Sequence, residues 1–180
     1  MNTITSYFEN QLKEEAEITR KMLKIVPDDQ YDWKPHPRSM TLRQLATHIA
    51  ELPGWIPMGI NTEVLDFAAG DYKPTPIDNN GELMKAFESN QKQALESLSK
   101  TNDEYLQNSW TMRNGEEIYM TTTKQNVIRM TLSQTIHHRA QLGVFLRLLN
   151  IPIPGSYGPS ADEMGFSSLE SKSVSEVLSY

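Results

Sequence analysis

Apolar positions recur at three- and four-residue spacing in four stretches of the chain, and this pattern predicts four amphipathic helices. The predicted helices cover residues 3–25, about 41–52, 82–100 and 124–149. Thr41 and Gln44 have the spacing of a capping box, which favours a helix start at that point. We expect Pro53-Gly54 to kink or end the second helix and Pro57 to interrupt the chain again.

Two segments depart from the helical pattern. Residues 66–80 carry glycine and two prolines and are typical of a long loop. Asn114-Gly115 lies between two short runs of strand-favouring residues, which predicts a hairpin with its two-residue turn there. The predicted fold is therefore all-α: a four-helix bundle with a small β-hairpin insertion near residues 109–120. We expect one bundle domain over residues 1–166 and a serine-rich tail, poorly ordered or briefly helical, over 167–180.

Composition narrows the class of protein. The chain has 180 residues, a formal net charge of -6 and no cysteine. This length suits a single domain with a real core, and the acidic balance argues against a nucleic-acid partner. Without cysteine, neither a disulfide nor a thiolate ligand is available. No apolar run has membrane-spanning length and no signal peptide is recognisable, so we expect a cytoplasmic protein without a membrane partner.

Histidines on two predicted helices are the strongest functional signal. His48 shares a helix face with Leu45 and Leu52, and His138 shares one with Leu142. Either residue alone is most simply a core histidine held by a hydrogen bond. Two inward imidazoles in one small bundle both need polar partners, because burying a polar group without one costs about 1–3 kcal/mol. A shared metal ion would serve both.

A third ligand is expected in an open metal site. Gln134 lies one turn before His138, so its side chain is placed beside that imidazole. His137 points about 100° away from His138 on a regular helix, and we expect it to border the next helix or the pocket wall. The set predicted to hold a metal is therefore His48, Gln134 and His138, and no catalytic residue is assigned.

The remaining candidates receive simpler interpretations. His36 lies between two prolines and is expected to be exposed. Glu15 and Glu51 are interpreted as parts of solvated helix faces. We expect the loop at 66–80 to roof the pocket together with three aromatic side chains, Trp33, Trp55 and Tyr157.

Three segments together resemble the DinB family of metal-dependent four-helix proteins. They are WKPHPRSMTLRQLATHIAEL, TLSQTIHHRAQLGVFLRLL and IPIPGSYGPSADE, and the resemblance covers about residues 1–166. It implies an up-down-down-up bundle that often forms a homodimer. It also implies a metal triad with one histidine on the second helix and two, four residues apart, on the fourth. His48 and His138 match this triad, whereas Gln134 stands where the family usually has histidine.

This substitution leaves several functions open. The resemblance implies a zinc- or nickel-dependent hydrolase or thiol S-transferase acting on small molecules. An amide oxygen is a poorer ligand than imidazole for these ions, so the metal would be held weakly or lost. The first alternative is a non-catalytic small-ligand-binding or stress-response dimer with a degraded metal site. The second is a structural dimer whose histidines are satisfied in the core.

Overall fold

The computed structural model describes residues 3–70 and 75–164. Within these residues the chain forms five α-helices and three β-strands. The helices are α1 (Ile4–Lys24), α2 (Leu42–Glu51), α3 (Trp55–Asn61), α4 (Asn80–Ser99) and α5 (Lys124–Leu148). The strands are β1 (Val64–Asp66), β2 (Ser109–Asn114) and β3 (Glu117–Thr123). The four predicted helices and the hairpin are confirmed, while α3 and β1 are additions that the sequence pattern did not predict.

Local side-chain caps explain where the helices begin. Thr41 accepts a hydrogen bond from the Gln44 backbone and the Gln44 side chain accepts from the Thr41 backbone, so the predicted capping box is present. Pro53-Gly54 ends α2 in a 3-10 turn, as expected. The second interruption predicted at Pro57 is wrong. Pro57 lies in the first turn of α3, where a backbone N–H has no partner within the helix and its loss costs little.

The loop predicted over 66–80 contains more structure than expected. The end of β1 falls in it, and β1 pairs in parallel with β2 in a sheet of order β1-β2-β3. Asp66 fixes this arrangement, because its carboxylate accepts from the Gly115 backbone at 2.9 Å and pairs with Arg113 at 2.9 Å. The strand was missed because three residues are too few to show a period of two.

The hairpin turn lies one residue later than predicted. Asn114 pairs with Glu117, so the two loop residues are Gly115 and Glu116 rather than Asn114 and Gly115. Gly115 has a φ of 61°, which glycine adopts without steric cost. A register shift beyond Met112 leaves Tyr119 as the extra residue of β3.

Two hydrophobic clusters form the core, and the long helices contribute to both. One surrounds Leu23, Ile49, Phe87 and Leu142. The other contains Leu12, Ile56, Leu98 and Ile128. Each long helix therefore buries its apolar stripe, as the sequence pattern predicts. No helix among the described residues has an apolar stretch long enough to cross a membrane.

Lys124 fixes the junction between the hairpin and α5. It follows β3 directly, is fully buried, and donates to the carbonyls of Gly59 at 3.2 Å, Ile60 at 3.1 Å and Thr62. Its ammonium group also pairs with Glu63 at 3.2 Å. These carbonyls belong to the end of α3 and the residues after it, where helical partners are missing. The predicted tail, 167–180, lies outside the described residues, and the domain boundaries and the order of helix directions stay predictions.

Candidate functional site

His48 on α2 and His138 on α5 are in contact. Their ring centroids are 4.6 Å apart and their planes are nearly perpendicular, at 83°. Both side chains are half-buried, and both helices also contribute apolar side chains to the first hydrophobic cluster. The convergence of these two imidazoles, on which the metal hypothesis depends, is thus present in the fold.

The orientation of the His138 ring is set by Gln141, one turn later on α5. The imidazole Nδ1 lies 2.9 Å from Oε1 of the Gln141 amide. Because an amide oxygen only accepts hydrogen bonds, Nδ1 carries the hydrogen in this contact, which leaves Nε2 as the nitrogen that can bind a metal ion in the neutral ring. Metal-ligating histidines commonly donate from their second nitrogen in this way, which fixes the tautomer.

His48 is held in its neutral form. Burial lowers the pKa of its imidazole first, and the neighbouring charge that His138 can carry lowers it further. Glu51 acts in the opposite direction. With the pKa below its ordinary value, His48 offers an unprotonated nitrogen at neutral pH, which a metal ion requires.

Gln134 borders the cavity that His48 also lines, one turn before His138. Across the described residues, no three side chains of histidine, aspartate or glutamate are close enough to hold a metal ion. A metal at this place would therefore have two imidazole ligands and a neutral amide, with water completing its shell. This set fits zinc or nickel in kind, but an amide oxygen is the weaker donor for these ions.

The two other histidines take the places expected of them. The ring of His137 is exposed and lies 4.9 Å from that of His138, so it borders the pair without entering the cavity. His36 is exposed in its connector, where Nδ1 accepts from the Arg38 backbone at 3.1 Å.

A cavity of about 340 Å³ opens beside the histidine pair. The expectation for its walls is only partly right. Trp55 lines it, but Trp33 packs edge-on against Phe145, with ring centroids 5.7 Å apart, and Tyr157 bonds elsewhere. The hairpin and α5 supply most of the remaining wall, and His48 and Leu52 complete it. The ten lining residues are His48, Leu52, Trp55, Trp110, Met112, Met120, Val127, Met130, Thr131 and Gln134.

Part of the loop at 66–80 also reaches His48. Residues 75–78 line a second cavity that includes His48 and Glu51, and the Thr75 backbone donates to the Glu51 carboxylate at 2.7 Å. Glu51 is half-buried, so its assignment to a solvated face is wrong: its carboxylate fastens the loop to α2. Residues 71–74 lie outside the described part of the chain.

The assignment of Glu15 to a solvated face is also wrong. Its carboxylate is buried and pairs with the buried guanidinium of Arg139 at 2.6 Å. Arg139 also donates to Thr19 at 3.0 Å and to the Tyr157 hydroxyl at 2.8 Å, and that hydroxyl donates to Glu15 at 2.7 Å. Sequence reasoning missed this cluster, although Glu15 falls between Leu12 and Thr19 on the inward stripe of α1. That position was the available signal.

Comparisons with known proteins agree with this architecture. A DinB-like protein from Bacillus cereus is 21% identical, with a TM-score of 0.65 over 83% of this chain and 95% of that one. YfiT from Bacillus subtilis, described as a probable metal-dependent hydrolase with an unusual four-helix bundle topology, is 13% identical. Its TM-score is 0.61, over 82% of this chain and 89% of that one.

A third solved structure is the mycothiol-dependent maleylpyruvate isomerase, at 12% identity and a TM-score of 0.57. The alignment covers 79% of this chain and 64% of the isomerase. No curated protein matches the sequence. At these identities the structures establish a common fold and no shared activity. The family model for the DinB family matches residues 1–171, nearly the whole sequence, and the chain therefore belongs to the DinB family.

Proposed function

We propose that this protein binds one divalent metal ion through His48, His138 and Gln134. The observation that carries the proposal is the contact between the two imidazoles, at 4.6 Å between ring centroids. Gln141 orients one ring, and burial keeps the other neutral. Zinc and nickel suit nitrogen ligands. The amide at position 134 makes the expected affinity lower than that of a three-histidine site.

The reaction class that fits this site is hydrolysis of, or thiol transfer to, a small molecule. A bound divalent ion supplies a water or thiol of lowered pKa, which makes a nucleophile near neutral pH. The protein's own contribution is to hold two adjacent imidazoles beside a largely apolar cavity, where a substrate is oriented and water is partly excluded. The descriptions of YfiT and of the mycothiol-dependent isomerase support this class by analogy within one fold.

A second candidate is a non-catalytic ligand-binding or stress-response protein with a degraded metal site. The observation that favours it is Gln134, which is neutral and borders a cavity lined mainly by apolar side chains. Under either candidate we propose a cytoplasmic homodimer whose helices run up-down-down-up, as the family resemblance implies.

Metal titration of the full chain tests the first proposal. Protein freed of purification metal by chelation is titrated with zinc and with nickel by calorimetry. We expect one ion per chain for the parent, and at least a tenfold weaker site in His48→Ala and in His138→Ala. His137→Ala is the matched control, because His137 is exposed beside the pair, and it should bind like the parent.

Two outcomes would reject metal binding. One is the absence of saturable binding in the parent, and the other is equal binding in His48→Ala and the parent. If His48→Ala then loses folding stability while metal content stays unchanged, the histidines serve the core. Turnover of electrophile and ester panels by the metal-loaded parent, lost in His138→Ala, would support an enzyme over the non-catalytic candidate.

A further inference from the structure

The cavity beside the histidine pair is lined mainly by apolar side chains. Seven of its ten residues are apolar or aromatic, and its polar side chains are His48, Thr131 and Gln134. The Thr131 hydroxyl donates to the Val127 carbonyl at 2.9 Å, so it is already engaged. The lining groups that make no hydrogen bond within the described residues are therefore the side chains of His48 and Gln134, the residues assigned to the metal, and the indole N–H of Trp55.

From this lining we infer that the substrate or ligand is an uncharged aromatic small molecule with one hydrogen-bonding group. Its ring would occupy the part of the cavity bounded by Trp55, Trp110 and three methionines, and its polar group would face His48 and Gln134. The inference deepens the proposed function and rests on it for the chemistry at the polar end. A volume of about 340 Å³ is within the range of small-molecule pockets.

The methionines are the main reason to specify an aromatic body. Met112 and Met120 are cross-strand partners on β2 and β3, and Met130 lies on α5, all three half-buried on the cavity wall. Thioether sulfur packs favourably against aromatic rings, and unbranched methionine adapts to irregular shapes. Trp55 and Trp110 add two indole faces or edges for offset contacts.

Charge is the reason to specify a neutral ligand. None of the ten lining residues carries a permanent charge. The two buried cations of α5 are already engaged, Lys124 by carbonyls and Glu63, and Arg139 by Glu15 and Tyr157. In the metal-free protein, a carboxylate entering the apolar part of the cavity would lose hydration without gaining a cationic partner.

Calorimetry with three matched probes tests the inference. The probes are 2-naphthalenemethanol, 2-naphthoate at pH 7.5 and decahydro-2-naphthalenemethanol, each titrated into the full chain with zinc and again with a chelator. In the chelator, where no metal can coordinate the carboxylate, we expect the neutral aromatic alcohol to bind about tenfold or more tightly than the carboxylate and severalfold more tightly than the saturated alcohol. Binding of the neutral alcohol should persist in the chelator, because the wall is formed by the protein.

Met130→Gln places an amide in the cavity wall and should weaken binding of the neutral aromatic alcohol about tenfold. Met120→Gln is a second variant of the wall, on the hairpin. Met84→Gln is the matched control, because Met84 is also half-buried but packs against the first hydrophobic cluster, which contains none of the cavity's ten lining residues. It should leave binding unchanged.

Equal or tighter binding of the carboxylate in the chelator would overturn the inference, as would alcohol binding that neither wall variant weakens. If the saturated alcohol binds more tightly than the aromatic alcohol, the inference that the ligand is aromatic is overturned. Failure of the proposed function is a separate result: it would leave the alcohol bound in the chelator while zinc fails to bind.

Discussion

Two neighbouring residues on α5, His138 and Arg139, belong to polar clusters that differ in burial and in hydrogen bonding. Arg139 is almost fully buried, and its guanidinium bonds to Glu15, Thr19 and Tyr157. His138, one position earlier, is half-buried, and one ring nitrogen is held by Gln141 while the ring meets His48 edge-on. One cluster satisfies its charges internally, and the other retains nitrogen lone pairs beside a cavity.

The cluster around Arg139 contributes to stability, whereas the cluster around His138 can bind a ligand, although the two residues lie in one helical turn. A buried ion pair whose groups are hydrogen-bonded within the protein offers no free donor or acceptor to a ligand. Removing one of its partners strongly destabilises the fold. Along α1 and α5 the pair lies between the two hydrophobic clusters, and Gln91 occupies the matching place on α4, donating to the Leu12 carbonyl at 3.0 Å. A polar layer of Glu15, Arg139 and Gln91, from α1, α5 and α4, thus lies between the two hydrophobic clusters.

The largest expected effect is loss of stability on breaking the buried pair. Arg139→Ala leaves the Glu15 carboxylate buried without its cation and should lower the free energy of unfolding by about 3–5 kcal/mol, measured by urea denaturation. The matched control is Arg20→Ala, which removes an arginine that pairs with Glu88 at the surface. It should cost about 1 kcal/mol or less. Similar losses of unfolding free energy in the two variants would mean that the buried Arg139 pair stabilises the fold no more than a surface pair.

Next in size is a gain of metal affinity at the other cluster. Gln134→His restores a third imidazole one turn before His138 and should tighten zinc binding about tenfold or more, measured by competition with a chromophoric chelator. Ser133→His adds an imidazole at the adjacent exposed position, about 100° away around the helix, and should not tighten it. If zinc affinity rises equally in the two variants, position 134 is not specifically placed to bind the metal.

A smaller effect is expected where Tyr157 bridges the ion pair. Tyr157→Phe removes the hydroxyl that bonds to both Glu15 and Arg139, and should cost about 1 kcal/mol of unfolding free energy. Tyr119→Phe is the control, because the Tyr119 hydroxyl makes no hydrogen bond within the described residues, and it should be neutral. Zinc binding should be unchanged in both, and a change in Tyr157→Phe would show that the two clusters are coupled.

The smallest expected effect is the pH dependence that His48 gives to the metal-free protein. Its folded pKa is lowered, so the unfolded chain binds more protons between the folded pKa and the ordinary value near 6.5. Stability therefore rises with pH across this window, and the contribution is lost as pH falls through it. In His48→Gln this part of the stability–pH curve should flatten. An unchanged curve would contradict the burial argument.

Much of the fold could be predicted from the sequence because long periodic stripes and capping residues are local signals. The capping box at Thr41 and Gln44 marks the start of α2 without reference to the rest of the chain. Asp66 shows where local signals end: its role depends on Gly115, almost fifty positions away, which no pattern near either residue reveals.

The candidate site could be predicted in part for the same reason. His48 and His138 were identifiable because each shares a helix face with apolar residues. The Glu15–Arg139 pair was not, since a charged residue on an inward stripe indicates a buried ion pair only once its partner is known. The cavity wall was also out of reach, because Trp110, Met112 and Met120 come from a hairpin whose packing against the bundle is a tertiary outcome.

The direct succession of β3 and α5, fixed by Lys124, has a consequence for divergence among related proteins. The imidazoles stand on helices, whereas three of the ten wall residues, Trp110, Met112 and Met120, stand on an appended ribbon with its own turn and register. Met112 and Met120 are only half-buried, so they can be exchanged with little effect on the helical scaffold that aligns the histidines. Under the proposed function, selectivity for a bound molecule can therefore diverge on the ribbon while the residues that would hold the ion are retained on the helices.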